Sequence, residues 1–163
     1  MSGNSENSGS AVAELYQQMI LEHNKKPKNF SKMQSPTHFA EGFNPLCGDH
    51  YTVYLKVNGG KIEEISFEGS GCAISKASGS MMTAHLIGKT PEQALENFEA
   101  FHQLLLGKSA ATETLGKLKI FSGIWKYPSR VKCASLSWHA LKSALLGQGT
   151  ATTEAASATE NNK

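Results

Sequence analysis

His50-Tyr51-Thr52-Val53-Tyr54-Leu55-Lys56-Val57-Asn58-Gly59-Gly60-Lys61-Ile62 decides the fold. Tyr51, Val53, Leu55 and Val57 alternate with His50, Thr52, Tyr54 and Lys56, the period-2 pattern of a strand with one buried face. Asn58-Gly59-Gly60 is a strong hairpin signal, because asparagine and glycine reach the backbone angles that tight turns demand. The chain then returns over residues 61–68 through Ile62 and the pair Ile65/Phe67. The slip of phase between Ile62 and Ile65 marks either a bulge or the start of the buried part. With a short edge strand around residues 38–42, this makes a small antiparallel sheet of three strands, one face of which needs cover.

The cover comes from helices. From residue 12 to about 24, Leu15/Met19 and Tyr16/Ile20 fall at i,i+4 and share a face. Ser10 fits an N-cap, and Pro27 forbids continuation. Downstream, residues 73–88 read as a helix in which Met81 and Met82 fill core rather than bind a cofactor. Thr90-Pro91-Glu92-Gln93 is a capped start with proline in the first turn, opening a helix through Phe98, Phe101 and Leu105 that Gly107 ends. Residues 108–127 hold enough Leu, Ile and aromatic side chains for a short helix or turn over the core. A last helix is expected from Cys133 to Leu146. The fold class is therefore α+β, a three-stranded antiparallel sheet packed on helices. A single domain at 12–147 is expected, with a disordered lead at 1–11 and a disordered tail at 148–163.

At 163 residues, 39% hydrophobic and 18% charged, the chain suits one soluble domain. A net charge of +2 makes no bulk electrostatic case for nucleic acid or an anionic membrane. No apolar run approaches the roughly 18 residues of a membrane span. The first ten residues lack the charged start and apolar middle of a signal peptide. The expected location is the cytoplasm, and three cysteines, an odd number, suit thiols kept reduced there.

Each cysteine is expected at an element boundary. Cys47 lies in Asn44-Pro45-Leu46-Cys47-Gly48-Asp49, where Gly48 lets thiol and carboxylate face one point. Cys72 closes the turn Gly69-Ser70-Gly71 at the head of one helix, and Cys133 is expected at the head of the last. A helix N-terminus favours thiolate over thiol. Arg130 and Lys132 make the Cys133 corner electropositive. Three thiolates with the Asp49 carboxylate would complete four-coordination for Zn²⁺, or hold an iron–sulfur cluster through three thiolates and an oxygen. Their separations match no zinc finger, and the glycine turn lacks the Gly-Lys-Ser/Thr of a phosphate loop.

Cys47-Gly48-Asp49, then Gly69-Ser70-Gly71-Cys72-Ala73-Ile74-Ser75, then Tyr127-Pro128-Ser129-Arg130-Val131-Lys132-Cys133-Ala134 closely resemble the IscU/NifU-N family of iron–sulfur cluster assembly proteins. Leu15-Tyr16 through Pro27-Lys28-Asn29 is similar to the family's first helix and its ending. Lys132 stands where the IscU branch has histidine. Tyr127–Lys132 replaces that branch's Leu-Pro-Pro-Val-Lys chaperone motif, and residues 108–127 look like an insertion. The chain thus resembles the SufU branch. The resemblance implies a SufE/NifU-like α+β fold and a zinc site of Cys47, Asp49, Cys72 and Cys133. It also implies a sulfur-transfer role, in which persulfide sulfur comes from a PLP-dependent cysteine desulfurase of the SufS type and passes to other Suf assembly components. Cys47 is the first choice of sulfur acceptor and Cys133 the rival, with Arg130 anchoring Asp49 or the leaving ligand. The alternative is a scaffold that assembles and hands on a [2Fe–2S] cluster. A purely structural zinc domain is disfavoured, because structural sites rarely use aspartate.

Overall fold

The computed structural model describes residues 3–108 and 113–152. Strands β1 (His38–Asn44), β2 (Asp49–Asn58) and β3 (Lys61–Ser70) form an antiparallel meander. Helices α1 (Gly3–Lys25), α2 (Ala73–Leu86), α3 (Pro91–Leu105) and α4 (Pro128–Leu145) pack with it as an α+β fold. The β2–β3 turn places Gly59 and Gly60 at φ 62° and 77°. Lys56 pairs with Glu64 and Val57 with Ile62, so Glu63 is the extra residue of a bulge. That bulge is the cause of the slip in phase between Ile62 and Ile65.

The inner face of the sheet carries Ala40, Tyr51, Val53, Leu55 and Phe67, all fully buried. Helix α4 crosses β1 and β2, and α2 lies on β3. Gly42 permits the crossing, since a Cβ there would stand 3.1 Å from Ala140 Cβ and 3.2 Å from the Leu136 carbonyl. Trp138 of α4 stacks on Phe101 of α3 at 4.6 Å, Phe101 meets Phe121 edge-on, and Phe121 meets Tyr16 of α1. One aromatic chain thus ties three helices and the 113–126 segment together.

Three expectations need correction, and the short helix expected over the core is present as a 3-10 helix. The helix expected from residue 12 begins at Gly3. Apolar periodicity marks only the packed part of a helix, and extending a formed helix is far easier than starting one. Leu15 is 49% exposed rather than sharing the buried face, because α1 docks through Tyr16, Met19 and Ile20. Residues 113–126 form a 3-10 helix broken at Gly116 (φ 52°), with Leu115, Leu118, Phe121 and Ile124 buried. Finally, the expected tail contributes β4 (Thr150–Thr152), parallel to β1, giving the sheet order β3-β2-β1-β4. The open edge of β1 takes up backbone partners whatever their side chains. Residues 153–163 lie outside the described residues.

Candidate functional site

The β1–β2 hairpin, the β3–α2 junction and the second turn of α4 meet at one end of the sheet. Asn44 pairs with Asp49 across the hairpin, and Pro45-Leu46-Cys47-Gly48 forms the turn between them. The Gly48 N–H donates to the Asn44 carbonyl (2.8 Å), the Leu46 N–H donates to Asn44 Oδ1 (3.2 Å), and Gly48 takes φ 75°. This turn holds Cys47 outward, exposed beside the exposed Leu46. Asp49 shares the inward phase of Tyr51 and is only 4% exposed.

Cys72 is the N-cap of α2, where its Sγ accepts the Ser75 N–H at 3.4 Å. Its own N–H donates to Asp49 Oδ1 at 3.3 Å, linking the two elements. Cys133, in the second turn of α4, is buried. A carboxylate oxygen of Asp49 and the sulfurs of Cys72 and Cys133 lie within 4.8 Å of one another. Cys47 stands outside that cluster. Asp49 Oδ2 is buried and has no hydrogen-bond partner among the described residues. A buried carboxylate with one orphaned oxygen, clustered with two thiols, is a donor set that fits a thiophilic divalent ion such as Zn²⁺ and leaves one place of a tetrahedral set to a further ligand.

The two thiols are not alike. The hydrogen bond between them, helped by the Ser75 N–H and hydroxyl against the effect of burial, draws Cys72 down to about 6. The same bond, with burial and the negative neighbours Cys72, Cys47 and Asp49, pushes Cys133 above its ordinary value. Cys133 does not head its helix. Tyr127 caps α4 and Pro128 occupies the first turn, because proline's fixed φ and missing N–H suit that position. The N-terminal dipole that assists Cys72 is therefore spent five residues before Cys133.

The NifU-like N-terminal domain model matches residues 15–134, which include all three cysteines. The chain belongs to that family. Members of the NifU-like N-terminal domain family similar to it include the "zinc-dependent sulfurtransferase SufU" of Bacillus subtilis (strain 168). That protein is 40% identical over 129 residues, 78% of this chain and 87% of the relative. Another is the "iron–sulfur cluster assembly scaffold protein IscU" of Streptococcus pyogenes serotype M1, 37% identical over 137 residues, 83% and 86% of the two chains. Among solved structures, a candidate iron–sulfur cluster assembly scaffold protein for the SUF system from Fervidobacterium islandicum AW-1 superposes with a TM-score of 0.77 at 39% identity. The match covers 81% of this chain and 97% of that one.

In this NifU-like N-terminal domain, the remaining expected site residue, Arg130, is exposed and rests over the Tyr127 ring, its guanidinium carbon 4.5 Å from the centroid. It makes no ion pair among the described residues. Three site neighbours were missed from the sequence. Ser75 touches Cys72 and Tyr51, and Tyr51, fully buried, has its phenol pushed up to about 12 chiefly by burial. The Tyr16 hydroxyl is buried without a partner among the described residues; burial raises its pKa, Arg130 opposes, and Cys72 and Cys133 add to the rise. Hydroxyl-bearing residues in strands and helices are ordinary core or surface choices, so only the fold singles them out. No described helix is long and apolar enough to cross a membrane.

Proposed function

We propose that this protein is a zinc-dependent sulfur acceptor and transferase of iron–sulfur cluster assembly, working in the cytoplasm with a PLP-dependent cysteine desulfurase of the SufS type and other Suf components. The observation that carries this reading is the split of the thiols: two converge with Asp49 while the third stands exposed on a turn. Asp49, Cys72 and Cys133 would hold the ion, with Cys47 as fourth ligand. Bound zinc would keep its cysteine ligands as thiolates at neutral pH.

Sulfur acceptance needs an accessible nucleophile. Cys47 has that access, whereas Cys133 is buried. The Cys47 thiolate attacks the terminal sulfur of the donor's persulfide. A new S–S bond forms on Cys47, the donor's S–S bond breaks, and the donor cysteine leaves as a thiolate that takes up a proton. Arg130, exposed in the first turn of α4, would receive Asp49 or the departing carboxylate or thiolate charge when the ligand set opens. The support for this is its placement and the similarity to a relative named as a zinc-dependent sulfurtransferase. The rival reading, a scaffold for a [2Fe–2S] cargo, uses the same donors and draws on relatives named as scaffolds.

The test is sulfur transfer to single-cysteine variants from a SufS-type desulfurase and free cysteine, with the persulfide located by mass spectrometry after peptide mapping. The reading expects the added sulfur on Cys47 and its loss in Cys47→Ala, with Cys133→Ala retaining some acceptance. Sulfur on Cys133 in a Cys47→Ala protein that accepts as well as wild type would sink it.

A further inference from the structure

Ser75 Oγ lies at the centre of a set of contacts that none of the four donors explains. It donates to the Cys72 carbonyl at 3.0 Å, lies 3.6 Å from Cys72 Sγ, and is 3.0 Å from the Tyr51 hydroxyl. Ser75 is 1% exposed and Tyr51 fully buried, so neither hydroxyl has solvent as an alternative partner. Because the single Ser75 proton goes to the carbonyl, the Tyr51 O–H is the donor in the Tyr51–Ser75 bond. The arrangement reaches Asp49 as well. A Cβ on Gly71 would stand 2.6 Å from both Ser75 Oγ and the Tyr51 oxygen, and 2.9 Å from Asp49 Cγ. Two buried hydroxyls and the carboxyl of the donor set are thus packed around one glycine.

Resting on the zinc-site reading above, we propose that Ser75, oriented by Tyr51, is a positioning residue that holds Cys72 as the fixed ligand of the site. With Cys72 as a thiol, Ser75 Oγ accepts from it. With Cys72 as a thiolate ligand, Ser75 turns its proton from the carbonyl onto the sulfur, and Tyr51 keeps the serine oxygen satisfied throughout. The sulfur then has two donors, the Ser75 N–H and the Ser75 O–H, which fix its direction. Cys47, on its exposed turn, has no hydrogen bond to its sulfur among the described residues. The asymmetry makes Cys72 the ligand that stays and Cys47 the ligand that exchanges.

The experiment measures zinc affinity of wild type, Ser75→Ala and Tyr51→Phe by competition of Zn²⁺ alone against a chromophoric chelator. The thiolate-to-metal charge-transfer band of the Co²⁺-substituted proteins is recorded alongside. Ser75→Ala is expected to weaken zinc about tenfold, the lower end for outer-shell partners of metal ligands, and to shift the cobalt band. Tyr51→Phe removes one neutral hydrogen bond and keeps the ring, so a loss of roughly fivefold is expected; it decides the matter alone if Ser75→Ala fails to fold. Variants that bind zinc as wild type does, with an unmoved cobalt band, overturn this inference and leave the zinc reading standing. A wild type that takes up no zinc overturns both.

Discussion

Gly71→Ala adds one methyl group at the most crowded point of the site. The new Cβ would sit 2.6 Å from Ser75 Oγ, 2.6 Å from the Tyr51 oxygen and 2.9 Å from Asp49 Cγ, well inside a carbon contact of about 3.5 Å. Gly71 is not among the glycines at positive φ, so alanine strains no backbone there and the cost is steric. The three neighbours cannot all retreat, since Tyr51 and Ser75 are buried on their far sides and Asp49 is tied to the Cys72 N–H. Overpacking of this kind costs about 1–3 kcal/mol, a fall in melting temperature of roughly 2–12 °C for a domain of this size. Moving Asp49 and Ser75 together should also weaken zinc by at least about tenfold. The assay is thermal unfolding of the metal-free proteins and chelator competition, with Gly123→Ala as control, because a Cβ at Gly123 meets nothing within 4 Å. Gly71→Ala behaving like Gly123→Ala in both measurements would refute the crowding argument.

Three further outcomes are expected. His139 is packed against Phe98 and His102, with Lys142 and its partner Glu99 alongside. Burial first, then the charges of His102 and Lys142, lower its pKa from 6.5 to about 4. Unfolding therefore lets it take up a proton, so its effect is nil above pH 6.5 and destabilising as pH falls towards 4; the loss is about 2 kcal/mol at pH 5 relative to pH 8. Urea unfolding at the two pH values should show His139→Gln losing about 2 kcal/mol less than wild type on acidification, and equal losses would contradict it. Thr90→Ala removes the capping box in which Thr90 Oγ1 accepts the Gln93 N–H at 3.1 Å and Gln93 Oε1 accepts the Thr90 N–H at 3.0 Å, and should cost about 1 kcal/mol in the same assay. Arg130→Ala should keep its zinc while accepting sulfur more slowly from the desulfurase; unchanged acceptance would remove Arg130 from the account.

The meander was legible because the 50–57 strand alternates strictly and Asn58-Gly59-Gly60 names the turn, and even the bulge left its trace in the Ile62/Ile65 slip. Thr90 and Gln93 announced α3 by side-chain chemistry alone. The 113–126 segment was legible in principle: Leu115, Leu118, Phe121 and Ile124 recur at an exact spacing of three, the period of a 3-10 helix. A search tuned to 3.6 yields a short helix or turn over the core without that period. The start of α4 was misplaced because Val131 and the residues before it show no apolar stripe, while Pro128, the true signal, was read only as part of a motif. That error carried Cys133 to a helix end it does not occupy. The donor types at the site were readable in sequence, but their inequality was not. Exposure of Cys47, burial of Cys133 and the hydroxyl pair behind Cys72 arise from contacts between distant segments.

The most direct test of the central claim is the metal content of freshly purified protein, wild type beside Asp49→Ala, with the desulfurase turnover that each supports. The account predicts about one zinc per chain in wild type, as a four-donor site holds, loosened or lost in Asp49→Ala, and faster alanine release by the desulfurase with wild type only. Iron with acid-labile sulfide and no effect on the desulfurase, or no metal in either protein, would contradict it.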